Sequence, residues 1–159
     1  MNTITHALLP VIAAGIYEVA AKKKGLFTPK RLIVIGIFGA APDLINPHLS
    51  LDARYSSWSH SIWFWALLTI IVGIFSCIKR KACPLPLAAL LSAAYISHIL
   101  SDAVSGGIAW NYPFSSGIVG AYYVHPIWWV PCDVFLFLFA YGLFRVFPNI
   151  KKRKLKKLT

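Results

Sequence analysis

The sequence predicts an all-α fold, a polytopic bundle of about five transmembrane helices in one domain that spans residues 1–159. Hydrophobic residues make up 58% of the 159 residues, and the mean hydropathy is +0.66. Charged residues make up only 13%, whereas about a quarter of a typical soluble domain is charged. So little polar surface cannot cover a water-soluble globule. Apolar segments separated by basic clusters are typical of a protein surrounded by lipid.

Five apolar segments are expected to form the helices. A helix rises about 1.5 Å per residue and needs about 20 residues to cross the hydrocarbon core, with about 17 as the lower limit. By that measure the first two segments are short spans and the last three are long enough. Because backbone groups in lipid have to bond with one another, each segment should be helical. The segments cover residues 5–21, 31–47, 60–78, 84–104 and 126–147.

Clusters of basic residues predict the orientation of the bundle. They lie at 22–31, 79–81 and 151–157, after the first, third and fifth segments, and Lys and Arg are enriched in cytoplasmic loops. We therefore expect the N-terminus outside and the C-terminus inside, with a basic cytoplasmic tail at 151–159. The six tryptophans fall near the proposed outer interface, a position that suits the indole ring.

The net charge of +11 does not indicate a nucleic-acid-binding protein. The basic residues lie between apolar segments, not along one face with interleaved aromatic residues. The three cysteines, Cys77, Cys83 and Cys132, are odd in number and lack the spacing of a zinc-binding pair. We expect membrane lipids as partners, no nucleic acid, and neither a disulfide framework nor a cysteine-based metal site.

Five ionisable residues inside the apolar segments stand out, because each costs about 2.5–3.5 kcal/mol even on lenient insertion scales. With the topology set by Lys and Arg, all five fall at the outer ends of four segments and are predicted to converge. Two of them are one helical turn apart and share a helix face. Imidazole and carboxylate groups suit a divalent ion such as Zn²⁺, whose charge offsets the buried carboxylates. The five residues are His6, Asp43, His60, His98 and Asp102.

Other interpretations of these residues stay open. A histidine in a membrane helix often forms only interhelical hydrogen bonds, each contributing about 0.6–2 kcal/mol, so the pair of His98 and Asp102 could be structural. His125 and Asp133 could belong to the same site, or they could lie at the interface and against a neighbouring helix. Three further polar residues are interpreted as loop residues: His48, Asp52 and Arg54.

The ionisable residues belong to short motifs that follow one another between residues 5 and 114. The motifs are Thr5-His6, Pro42-Asp43, Ser59-His60-Ser61, Ser97-His98-Ile99-Leu100-Ser101-Asp102, Gly106-Gly107 and Trp110-Asn111-Tyr112-Pro113-Phe114. In this order they resemble the YdjM-type family of bacterial inner-membrane metal-dependent hydrolases. With the charge pattern, the resemblance implies a multi-pass protein of the bacterial cytoplasmic (inner) membrane whose site faces the periplasm or exterior.

The order of the histidine and aspartate residues along the chain is also distantly similar to the order of the metal ligands in zinc-dependent phospholipase C and P1-type nucleases. Those proteins are helical enzymes that cleave phosphate esters at a multi-zinc site. This resemblance implies that His6, Asp43, His60, His98 and Asp102 are metal ligands, and that Asp43 acts as the base for a metal-activated water. The expected function is hydrolysis of a phosphoester or lipid-like substrate. The alternative is a non-catalytic metal-binding membrane protein with a sensing, transport or structural role.

The chain departs from both groups at particular positions. Ile108 occupies the place of a further histidine of the phospholipase group, and Trp129 stands four residues after His125 where that group has a glutamate. Ile45 replaces an acidic residue that is frequent in the YdjM-type family. That family commonly has an arginine before the Ser-His-Ser element, and the sequence reasoning identifies no counterpart. One or two metal ions are therefore expected, and not three.

Overall fold

The structure, a computed structural model, describes residues 2–21, 27–47 and 51–149. Within these ranges it contains five α-helices and no β-strand, so the predicted all-α fold is confirmed. The tail predicted at 151–159 lies outside the described residues. The helices are α1 (Thr3–Ala20), α2 (Pro29–Ile45), α3 (Ile62–Ile78), α4 (Leu85–Val104) and α5 (Trp129–Tyr141).

Three helical segments are long and apolar enough to cross a membrane: Thr3–Ala20, Leu85–Val104 and Pro126–Asn149. The last of these comprises α5 with a 3₁₀ turn before it and a π-helical turn after it. Helix α3 is apolar but shorter. Ala140 is the one buried residue of α5, so most of the apolar surface of this helix is available to lipid. The chain is therefore a helical membrane protein, as predicted.

The first residues of two helices follow from local capping. Thr28 precedes α2 and accepts a hydrogen bond from the backbone N–H of Arg31 at 3.4 Å. Ser61 does the same for α3, accepting from the N–H of Phe64 at 3.3 Å. Such caps satisfy backbone donors that the first turn leaves without partners. The cap at Ser61 fixes the start of α3 at Ile62, two residues after His60.

Helix α4 lies at the centre of the bundle and packs against α1, α2 and α3. Helix α1 also packs against α2, and α5 packs against α1. One apolar cluster lies along the first half of α4 and includes Leu87 and Leu91. A second lies along its last turns and includes the fully buried Tyr95 and Ile99. Because lipid is as apolar as these side chains, close packing holds the helices together more than escape from water does.

The segment between α2 and α3 is largely helical. It contains the 3₁₀ helices Leu51–Ser56 and Trp58–His60. Asp52 and Arg54, which the sequence reasoning placed in a loop, belong to the first of these helices. His48, interpreted in the same way, lies outside the described residues. The segment brings His60, the last residue of its second 3₁₀ helix, to the end of the bundle where α2 and α4 terminate.

The connection between α4 and α5 covers the same end of the bundle. Residues 105–125 fold back on themselves, with backbone hydrogen bonds that also tie them to the end of α4. The first five residues, 105–109, are buried, whereas 113–123 are exposed. The isolated bridges in this connection pair Ser105 with Tyr122 and Ile108 with Val119.

Candidate metal centre

Four side chains from three parts of the chain each place one potential ligand atom within 4.8 Å of the other three. Asp43 comes from the last turn of α2, His60 from the 3₁₀ helix before α3, and His98 and Asp102 from the end of α4. The side chains of His60 and His98 are 0% exposed, that of Asp102 is 3% exposed, and that of Asp43 is 17% exposed. Four of the five predicted ligands thus form a buried group that could hold a metal ion.

Five of the six separations between the four donor atoms are nearly equal. The Nε2 atoms of His60 and His98 are 3.3 Å apart, and each lies 3.3–3.4 Å from Asp43 Oδ1 and from Asp102 Oδ2. The sixth separation, between one carboxylate oxygen of Asp43 and one of Asp102, is within 4.8 Å. A regular tetrahedron with edges of 3.3–3.4 Å would have its centre about 2.0–2.1 Å from each corner, close to Zn–N and Zn–O bond lengths. A hydrogen bond would instead bring one favoured pair to about 2.9 Å. The spacing therefore fits a shared cation.

His98 is oriented by a backbone carbonyl on the neighbouring helix. Its Nδ1 atom lies 2.8 Å from the carbonyl oxygen of Gly39. Because a carbonyl oxygen only accepts, Nδ1 carries a proton, and in the neutral ring the Nε2 lone pair then faces the other donor atoms. Histidines that bind metals are commonly held this way, with the second ring nitrogen donating to a carbonyl or carboxylate.

A chain of side chains orients His60 in a similar way. The Asn46 amide donates to Ser57 Oγ at 2.9 Å, and the Ser57 and Ser59 hydroxyls are 2.9 Å apart. The Ser59 hydroxyl in turn donates to the Pro42 carbonyl at 2.8 Å. His60 Nδ1 lies 2.9 Å from Ser57 Oγ. When the Ser57 hydroxyl donates to Ser59, its oxygen accepts from Nδ1–H, and the Nε2 lone pair faces the other three donor atoms.

The second oxygen of each carboxylate has partners other than His60 and His98. The Thr3 hydroxyl donates to Asp43 Oδ2 at 2.7 Å. Asp102 Oδ1 lies 3.1 Å from His6 Nε2 and 3.2 Å from a guanidinium nitrogen of Arg54. Each carboxylate therefore keeps one oxygen toward the group of four and anchors the other. Such outer partners orient ligands and strengthen metal binding.

His6, the fifth predicted ligand, lies beside the group of four. Its ring stacks on that of His98, with centroids 3.8 Å apart, and its Nε2 faces Asp102. The residue is 1% exposed, and its Nδ1 has no hydrogen-bond partner among the described residues. A buried polar atom without a partner is costly, so Nδ1 is suited to a water or a further ligand. The role of His6 as a metal ligand stays a prediction.

Arg54 is the residue at this site that the sequence reasoning missed. It is 1% exposed, so its interpretation as a loop residue is wrong. Besides its contact with Asp102, its guanidinium donates to the Ser105 carbonyl at 2.9 Å. The signal was present in the sequence, because Arg54 is the single basic residue in the two outer connections and lies shortly before Ser59. That is where the resemblance implies an arginine.

Two glycines permit the close approaches that assemble the site. A Cβ added at Gly39 would overlap the carbonyl oxygen of His6, so α1 and α2 touch there through their backbones. Gly106 has a φ of +132°, and a Cβ there would meet the Arg54 guanidinium. A side chain at either position would push His6 or Arg54 away from Asp102.

His125 and Asp133, whose roles the sequence left open, are not among the four donor residues. Asp133 accepts hydrogen bonds from the Asn2 amide at 2.5 Å and from the Thr5 hydroxyl, and thereby joins α5 to α1. His125 is exposed, and its Nδ1 accepts from the backbone N–H of Ile127 at 3.3 Å. Asp133 therefore connects helices near the site, and His125 caps the turn before α5.

Comparison with known proteins identifies a family for almost the whole chain. The family described as YdjM inner membrane protein matches residues 1–157. No curated protein and no solved structure matches the chain. The family description agrees with the apolar helices in assigning the protein to an inner membrane, and it assigns no chemistry to the group of four.

Proposed function

We propose that this chain, which belongs to the YdjM inner membrane protein family, is a membrane-embedded metal-dependent hydrolase. Its substrate is a phosphoester or lipid-like molecule at the outer face of the cytoplasmic membrane. The observation that carries the proposal is the close approach of one donor atom each of Asp43, His60, His98 and Asp102, with five of the six separations at 3.3–3.4 Å. Two nitrogen and two oxygen donors suit Zn²⁺.

The roles of the four residues follow from their burial. Four protein ligands fill a tetrahedron, whereas catalytic zinc sites use three and leave a position for water or substrate. We assign the role of metal ligand to the three most buried members of the group, which are His60, His98 and Asp102. The more exposed Asp43 then accepts the proton of the attacking water. A bound divalent ion would polarise a phosphoryl oxygen and lower the pKa of a water to about 7.

Electrostatic balance supports a cation at this position. Two carboxylates, Asp43 and Asp102, face the same two imidazoles, and Arg54 is the buried cation that pairs with one of them. The group therefore brings two negative charges to one place inside the bundle. Ionised groups in a low-dielectric interior are retained when they are paired or coordinate a metal. A divalent ion would place positive charge between the two carboxylates.

The surroundings of the site support a lipid-like substrate. The connection at 105–125 begins directly after α4, and its exposed part carries Phe114 and Tyr123, which are 80% and 76% exposed. Aromatic side chains are favoured at the headgroup level of a membrane. The basic residues at the opposite ends of the helices support an outward-facing site by the positive-inside rule. A substrate from the outer leaflet would reach Asp43 without crossing the bundle.

Hydrolysis of a chromogenic phosphodiester by the purified full-length protein, supplied with Zn²⁺, tests the proposal. Removing a general base typically lowers the rate about 10²–10⁴-fold, so Asp43→Asn should lose activity while retaining the metal. Asp133→Asn is the matched control, because it changes a carboxylate near the same end of the bundle that lies outside the group of four. Wild-type rates in Asp43→Asn would contradict the role of Asp43.

A second candidate function is a non-catalytic metal-binding membrane protein. The observation that favours it is that four donor atoms, and not three, come together at the site, because four protein ligands are typical of structural zinc sites. In that case Asp43→Asn should lose the bound metal, as should variants in which any of the other three ligands is substituted. The metal-loaded wild type should then cleave neither soluble phosphodiesters nor phospholipid vesicles.

A further inference from the structure

A crevice opens between α2 and α3 at the end of the bundle away from the group of four. Its volume is about 510 Å³, which is within the range of about 300–1,000 Å³ for small-molecule sites. Both flanking helices pack against α4, which forms the floor of the crevice. Its apolar lining includes Val34, Phe38, Leu68, Val72, Phe75 and Leu91.

The crevice has the length and chemistry of a site for a hydrocarbon chain. Along α2 its lining runs from Lys30 to Phe38, about 12 Å at the helical rise per residue. Only Lys30, Arg31 and Cys83 in the lining carry an ionisable side chain. Lys30 and Arg31 stand in the first turn of α2, so the apolar interior ends at a basic mouth. An apolar channel with cations at one end matches an amphiphile with an anionic head.

The charges near the crevice favour a lipid over the other possible occupant, which is a helix of a second copy of the chain. The turn between α3 and α4 exposes Lys79, Arg80 and Lys81 at the same end of the bundle. A second copy in the same membrane orientation would bring its own basic residues to this level, against Lys30 and Arg31. Like charges at such an interface are unfavourable. An anionic headgroup is attracted by the same residues.

We propose that this crevice binds an anionic phospholipid, with one acyl chain between α2 and α3 and the phosphate group between Lys30 and Arg31. The site is separate from the group of four and does not depend on hydrolase activity. Its ligand belongs to the leaflet on the basic side of the protein.

Native mass spectrometry of the full-length protein, with phosphatidylglycerol or phosphatidylcholine added, tests this proposal. Each basic residue near an anionic surface contributes about fivefold to binding. Phosphatidylglycerol should therefore be retained at least about tenfold more than phosphatidylcholine. Lys30→Gln combined with Arg31→Gln should remove this preference. Lys79→Gln combined with Arg80→Gln is the matched control, because these residues lie at the same end but outside the crevice lining.

Cys83 reports whether the lipid occupies the crevice itself. Its side chain lines the crevice and is 5% exposed. In a Cys77→Ser, Cys132→Ser background it is the only thiol, and phosphatidylglycerol should slow its alkylation by an apolar maleimide several-fold more than phosphatidylcholine does. The proposal is overturned if both lipids bind alike, if the control pair loses the preference equally, or if bound lipid leaves Cys83 alkylation unchanged. A dimer that excludes lipid would assign the crevice to a second copy.

Discussion

His98 Nε2 lies 3.3 Å from His60 Nε2, although the two residues are 38 positions apart in the chain. The Nδ1 atom of each ring is turned toward an oxygen partner outside the pair. Two neutral imidazoles held in this way direct their lone pairs at one another, which is unfavourable unless positive charge lies between them. The carboxylates of Asp43 and Asp102 face the same place. This relationship is why we regard the cluster as a cation site and not as interhelical hydrogen bonding alone.

Thr3→Val should lower the rate of hydrolysis with little effect on the fold or on metal binding. The substitution keeps the side-chain shape but removes the hydroxyl that donates to Asp43 Oδ2 at 2.7 Å. Loss of such an orienting partner at a metal site typically lowers activity about 10–100-fold, whereas one hydrogen bond contributes only about 1 kcal/mol to stability. Hydrolysis of the chromogenic phosphodiester by the zinc-loaded protein measures the rate.

Thr69→Val is the matched control for that change. It removes a hydroxyl that pairs with Ser92 at 2.6 Å on α3 and α4, outside the group of four. The hydrolysis rate should stay at the wild-type value. Equal loss of activity in the two variants would show that Thr3 acts through general helix packing and not through Asp43.

Arg54→Met should destabilise the protein and lower its metal affinity together. Removing one partner of a buried ion pair costs about 3–5 kcal/mol, because the other charge is left uncompensated; here that charge is Asp102. Arg54→Lys should recover only part of the loss, since an ammonium group cannot reproduce the planar contacts to Asp102 and to Ser105. Thermal unfolding in detergent and zinc competition are the measurements, with the exposed Arg145 changed to Met as control. Wild-type behaviour of Arg54→Met would contradict this assignment.

Gly39→Ala should push α1 away from α2, because the added methyl group would meet the carbonyl oxygen of His6. Inserting an extra carbon into a packed contact typically costs about 1–3 kcal/mol. Gly73→Ala is the matched control, since no heavy atom lies within 4 Å of a Cβ added at that position. Alanine favours the helix over glycine by about 1 kcal/mol, so this variant should be as stable as the wild type or more so. Equal destabilisation of both variants would refute the close contact at Gly39.

Much of the fold could be predicted because lipid restricts the backbone to helices and because apolar length is readable in the sequence. Helix α4 was predicted at 84–104 and is observed at Leu85–Val104. Helix α3 was predicted from His60 but begins at Ile62. That difference arises because Ser61 caps the helix and leaves His60 in the preceding 3₁₀ turn. Capping of this kind is a local contact that hydropathy does not detect.

The site was predictable only in part, for a physical reason. Charge topology brought His98, His60 and Asp43 to one end of the bundle, and that convergence is observed. The position of His6 beside the group of four depends on the backbone contact between α1 and α2 at Gly39. This contact is a tertiary feature. Arg54 was interpreted as a loop residue because hydropathy assigns an isolated arginine between spans to solvent. Its burial depends on a partner, Asp102, that lies far away in the sequence.

Metal content of the full-length protein, purified in detergent and freed of loosely bound ions, tests the central claim most directly. We expect about one zinc or similar divalent ion per chain, held by His60, His98 and Asp102. Loss of the ion is expected in His98→Gln and His60→Gln, and retention is expected in His125→Gln, which changes a histidine outside the group. A wild-type protein without a bound divalent ion after zinc loading, or a His98→Gln variant that binds as much as the wild type, would contradict the account.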